Sequence, residues 1–233
     1  MPTTVDRKDE PTLKVVSLLG AATEVIYRLG LGHLLVGRSH ECDYPRAALS
    51  LPCISRPRLD VDSSSANIDA TVREHSAAGE PIYKLDDDVL ESLQPDLLIA
   101  QDHCRVCAVT PGDVGKSSCA NVRQLVLRPA TLNDCIEDVV KIANELGVPE
   151  RGLSLRSTMV SRMDRVKELT IAASTKKPRV ALLEWCDPIM GCGYWLPELV
   201  DVAGGMALHC PPPGEFFYTI IITPVLSPSS RSK

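Results

Sequence analysis

Three short runs concentrate side chains able to hold a metal or a ligand. The first is His40-Glu41-Cys42-Asp43-Tyr44-Pro45, and the second is Gln101-Asp102-His103-Cys104-Arg105-Val106-Cys107. Imidazole and thiolate are the preferred ligands of zinc, and they also suit iron and cobalt. If the strands ahead of these runs are neighbours, His40, Cys42, His103, Cys104 and Cys107 converge on one rim as a metal site. A single Cys-x-x-Cys is a weak signal, and a reduced pair packed in a loop is the alternative. A thioredoxin-type redox role is disfavoured, because no helix start follows the first cysteine.

The third run is Glu184-Trp185-Cys186-Asp187-Pro188, followed by Gly191-Cys192-Gly193-Tyr194-Trp195. The chain carries nine aromatic residues in all, so two Trp and one Tyr together form a notable concentration. Flat apolar side chains on the lip of a cleft suit a large planar ligand. For Trp185 alone, packing into a core is an equal alternative. Gly20-Ala21-Ala22-Thr23 could turn backbone N–H groups toward an anion, but it lacks a full phosphate-binding fingerprint and reads better as a tight turn.

These runs need elements to position them. Apolar stretches at 13–19, 34–37, 97–100 and 122–127 read as strands. Helical spacing covers 23–29 and a segment from 86 to 96. The first two chemistry-bearing runs each follow the carboxyl end of a strand, where α/β sheets place their ligands. From Thr131 two helical stretches follow, broken at Gly147-Val148-Pro149 and lasting to about Ala173. A second α/β unit starts at Pro178, with a strand over 179–185 and a helix over 195–203. Ser63-Ser64-Ser65 reads as a short loop or helix cap, with a turn the favoured reading, and 216–223 (FFYTIIIT) as a β-rich strand. The expected division is an N-terminal lobe over 1–130, a connecting helical region over 131–177 and a partial C-terminal lobe over 178–233.

A length of 233 residues can bury a full core without a disulfide or metal to hold it. The net charge of −5 argues against general binding of nucleic acid or anionic membranes. No run approaches the roughly 18 apolar residues of a membrane helix, so no membrane insertion is expected. The polar N-terminus has no apolar signal region, and an odd number of cysteines does not suit a disulfide framework. Both features point to a cytoplasmic protein with reduced thiols. Cys53, Cys119, Cys135 and Cys210 have no recognisable spacing and read as small buried apolar residues.

The segment VVSLLGAATEVIYRLGLGHLLVGRSHECDYP at 15–45 resembles the opening of the cobalamin and ferric-siderophore substrate-binding proteins of ABC transporters. More closely, it resembles their signal-less cobalamin-binding branch. The marks are Ser17 with the Ala-Thr-Glu of 22–24, the HECDYP box of 40–45, LQPDLLIAQDHCRVCAV at 93–109 and LEWCDPIMGCGYWLPELVDVAGG at 183–205. The resemblance implies an α/β fold of two Rossmann-like lobes joined by a long backbone helix, here with an apparently truncated second lobe. It also implies non-catalytic binding of a corrinoid or related metal chelate in the cleft between lobes. Expected ligand contacts are His40, Glu41, Cys42, Tyr44, Gln101, Trp185, Tyr194 and Trp195. His40 or one of Cys42, Cys104 and Cys107 would approach the metal. A membrane transporter is the family's partner, and the missing export signal argues against one here. The competing expectation is a zinc- or iron-site protein, or a metal-dependent enzyme, built on the His/Cys rim.

Overall fold

The computed structural model describes residues 13–104, 106, 108–173, 176–208 and 210. The strand expected at 216–223 lies outside the described residues. Strands β1 (Val15–Ser17), β2 (Leu35–Arg38), β3 (Ser55–Pro57), β4 (Tyr83–Leu85), β5 (Leu97–Gln101) and β6 (Arg123–Leu127) belong to the first part of the chain. Helices α1 (Gly20–Arg28), α2 (Ser65–Ala78), α3 (Asp87–Leu93) and α4 (Pro111–Val114) are interspersed with them. A four-stranded sheet has the order β2-β1-β5-β6, and every pairing in it is parallel.

Strand alternation divides the core into two layers. Val15, Leu97 and Ile99 pack on one side with Ile26 of α1 and with Ile142 and Ala143 of α5 (Leu132–Glu145). Val16, Leu98 and Ala100 pack on the other with Leu90 of α3 and Val114 of α4. Covered on both faces, β1 and β5 are apolar almost throughout, as central parallel strands must be.

Helix α1 begins at Gly20, three residues earlier than the sequence suggests, so the expected turn at 20–22 is its first turn. Glycine is required there because a Cβ would lie 2.9 Å from the Glu41 carbonyl oxygen. Ser64 is the N-cap of α2 and its side chain accepts from the Asn67 N–H, so Ser63-Ser64-Ser65 starts a helix. The short strands β3 and β4 pair antiparallel and were not legible in the sequence.

Thr131 and Asp134 form a capping box at the start of α5. Gly147 then ends the stretch with φ +75, and α6 (Pro149–Ala173) runs for 25 residues, about 37 Å. The two helices approach closely at Gly152, where a Cβ would come within 2.3 Å of the Ala143 Cβ. Among the described residues no helix is long and apolar enough to cross a membrane.

Beyond α6 lie β7 (Arg179–Val180), β8 (Leu183–Cys186), β9 (Ile189–Gly191), α7 (Leu196–Val202) and β10 (Met206–Ala207). The single strand expected at 179–185 is two, because each half has a different partner. β7 pairs parallel with β10, whereas β8 turns to pair antiparallel with β9. Glu198 of α7 accepts the Leu132 N–H at 2.8 Å, which ties this unit to the start of α5.

Candidate functional site at the carboxyl rim of the sheet

The loop after β2 is seated on the sheet by its own polar groups. Ser39 donates its N–H to the Ser17 carbonyl at 2.9 Å. Cys42 is wholly buried, its sulfur 3.3 Å from Ser39 Oγ and donating weakly to the Ser17 oxygen. His40 donates its main-chain N–H to Ser55 Oγ at 3.1 Å, and its Nδ1 lies 2.8 Å from the same oxygen. One hydroxyl on β3 therefore fixes both the backbone and the ring of His40. The ring also packs on Tyr83 of β4, with centroids 5.0 Å apart.

His40 Nε2 is buried and lies 3.3 Å from Glu41 Oε1, out of line for a hydrogen bond. Burial pulls the His40 pKa below the usual imidazole value; Glu41 opposes this and Arg38 assists it. Tyr83 donates its hydroxyl to the Val106 carbonyl at 2.6 Å, which joins β4 to the loop after β5. Its own pKa is pushed up to about 12, first by burial and then by Glu41 and Asp113, so the phenol stays a donor at neutral pH.

The loop after β5 is organised by Gln101, which has no exposed surface. Its Oε1 accepts the N–H groups of His103 and Cys104, both at 2.9 Å. Its amide nitrogen donates to the carbonyls of Cys104 and Ala108. The His103 ring projects from this frame, with a buried Nδ1 that has no hydrogen-bond partner. Burial is the main cause of its lowered pKa, opposed by Asp138 on α5 and by Asp102.

The aromatic lip closes on that ring. Tyr194 and Trp195 contact it edge-on, with centroids 5.4 and 5.5 Å away. Tyr194 adopts a left-handed backbone, φ +51, and donates its hydroxyl to the His103 carbonyl at 2.8 Å. Trp185 donates its indole N–H to the carbonyls of Ser65 and Asp187 at 3.1 and 3.0 Å. The lip thus reaches both the start of α2 and the rim of the sheet.

Among the described residues, the His/Cys metal rim expected from the sequence does not gather into a metal site. β1 lies between β2 and β5, which sets the two loops about 10 Å apart at their roots. Among the described residues no three His, Cys, Asp or Glu side chains come together to hold a metal ion. Cys104 is disulfide-bonded, so it offers no thiolate, and it departs from the expectation of reduced thiols. Cys107 lies outside the described residues. Cys42 and Gln101 are both buried and engaged by the loops they support. His40, Glu41 and Tyr44 remain on the rim, with Tyr44 56% exposed. Cys53, expected to be buried, is exposed. Ser55 and Tyr83 were missed; only the scarcity of aromatics hinted at Tyr83, because β3 and β4 are too short to show a period.

No protein-family model matches the chain, and no curated protein does. Solved structures do match. The apo periplasmic heme-binding protein RhuT of Roseiflexus sp. RS-1 superposes with TM-score 0.63 at 23% identity, covering 84% of this chain and 65% of its own. A periplasmic heme-binding protein of Pseudomonas aeruginosa gives TM-score 0.65 at 21% identity, covering 90% of this chain and 66% of its own. The periplasmic vitamin B12 binding protein BtuF of Vibrio cholerae gives TM-score 0.62 at 20% identity, with 89% and 70% covered. The chain has the fold of the ABC-transporter substrate-binding proteins. It spans about two thirds of the length of these neighbours.

Proposed function

We propose that this chain binds a corrinoid or a related planar metal chelate between the His103 rim and the Tyr194–Trp195 lip, without catalysing a reaction on it. The observation that carries the reading is His103. It presents a buried ring nitrogen with no hydrogen-bond partner, beneath two aromatic rings. Its lowered pKa leaves the imidazole neutral at pH 7, the form that can ligate a metal. His40 offers a second imidazole of lowered pKa on the loop after β2. Support comes also from the solved structures of this fold, described as binding heme or vitamin B12.

A flat macrocycle needs a contact of ~3.5 Å on each face, or ~7 Å between the groups that sandwich it. His103 and the lip rings stand closer than that, so binding requires the lip to lift and the Tyr194–His103 hydrogen bond to break. The test is an absorbance titration with hydroxocobalamin and, separately, with hemin. The expected result is a saturable band shift for at least one of them, with affinity weakened about tenfold or more in His103→Ala, the scale of losing one charge-free ligand bond. Unchanged spectra and no heat of binding for either compound at micromolar concentration would overturn the reading.

A further inference from the structure

Two free thiols meet beside the aromatic lip. Cys192 follows β9 and is wholly buried, whereas Cys210, past the end of β10, is half-buried. Their sulfurs are 3.5 Å apart. We propose that Cys192 and Cys210 are a dithiol site that a small-molecule disulfide oxidises to an internal cross-link, closing the segment that contains α7 and β10. A disulfide bond is about 2.05 Å, so the sulfurs need to approach by only ~1.5 Å. The backbone has the freedom for that movement, since Gly191 and Gly193 flank Cys192.

The exposure of the two sulfurs sets the order of events. Cys210, as its thiolate, attacks the small disulfide and releases one thiol, leaving a mixed disulfide on Cys210. Cys192, as its thiolate, then attacks the Cys210 sulfur and releases the second thiol. In sum, two protein thiols become one disulfide while one small disulfide becomes two thiols, and the protons pass to the departing thiolates. Burial first, and the adjoining Cys210 sulfur second, push the Cys192 thiol up to about 12, so the second step is slow at neutral pH. Because the thiolate fraction grows about tenfold per pH unit well below the pKa, decay of the mixed disulfide accelerates accordingly from pH 7 to pH 9.

The test is incubation of the full chain with oxidised glutathione at about pH 9 until the products no longer change, then acid quenching, alkylation and peptide mapping by mass spectrometry. Exposed Cys53 and Cys186 serve as comparison thiols. The expected product is a peptide pair joined through Cys192 and Cys210, with two glutathione molecules released per cross-link. Cys192→Ser should stop at glutathione on Cys210, and Cys210→Ser should give no cross-link. Circular dichroism of both variants checks that they fold as the wild type does. Two results would overturn the proposal: a wild-type chain that stops at the mixed disulfide on Cys210, or a Cys192–Cys210 pair that stays reduced while Cys53 and Cys186 react.

Discussion

The Tyr194 hydroxyl donates to the main-chain oxygen of His103 at 2.8 Å, joining residues 91 positions apart in the chain. This bond latches the aromatic lip to the rim of the main sheet. Removing the hydroxyl in Tyr194→Phe keeps the ring contact and removes the latch. The expected cost is about 1 kcal/mol in urea unfolding, typical of one hydrogen bond. If the lip must lift for a chelate to bind, the same variant should bind its ligand faster in stopped-flow absorbance.

Gln101 is the loop's organiser, with both ends of its amide engaged by main-chain groups. Gln101→Leu keeps the bulk but leaves the N–H groups of His103 and Cys104 without their acceptor. A loss of about 3 kcal/mol is expected, given ~1–3 kcal/mol for each buried group left unpaired. Amide exchange should quicken first at residues 103 and 104, which localises the effect.

Acid should weaken the fold through two histidines. Burial lowers the pKa of both His40 and His103 from the ordinary 6.5. As the pH falls below about 6.5 the unfolded chain takes up these protons while the native chain does not, so stability declines. The decline continues until the native pKa values are reached. Urea midpoints from pH 7.5 down to pH 5 should show it, and the double variant His40→Gln/His103→Gln should flatten the profile over that window.

At Gly152 helix α6 packs tightly on Ala143 of α5. Gly152→Ala gains helix propensity of about 1 kcal/mol, but its methyl would overlap Ala143, which is itself fully buried. Overpacking of this kind costs about 1–3 kcal/mol, so a net loss near 1 kcal/mol and a lower melting temperature in calorimetry are expected. Pairing it with Ala143→Gly should restore part of the loss.

Much of the frame was readable from residue order. Short apolar runs and helical apolar patterns located β1, β5, α5 and α6, and the cap and acid signal at Thr131 and Asp134 marked the start of α5. The same patterns placed His40 and His103 just after strands, because both runs follow apolar stretches long enough to be buried. The weak patterns failed. β3 and β4 are three residues each, and α2 buries none of its residues, so neither carries a period that a core would impose.

What the sequence alone determined was therefore local: which segments are strand or helix, and which chemistry lies at their ends. What the tertiary structure decided was adjacency. Periodicity says that a strand is buried but not beside which strand it lies, and the structure sets β1 between the strands that carry the two His/Cys runs. The partners of His40 are Ser55 and Tyr83, and those of His103 are Tyr194 and Trp195. They meet only because distant segments share a layer, and no spacing along the chain encodes that.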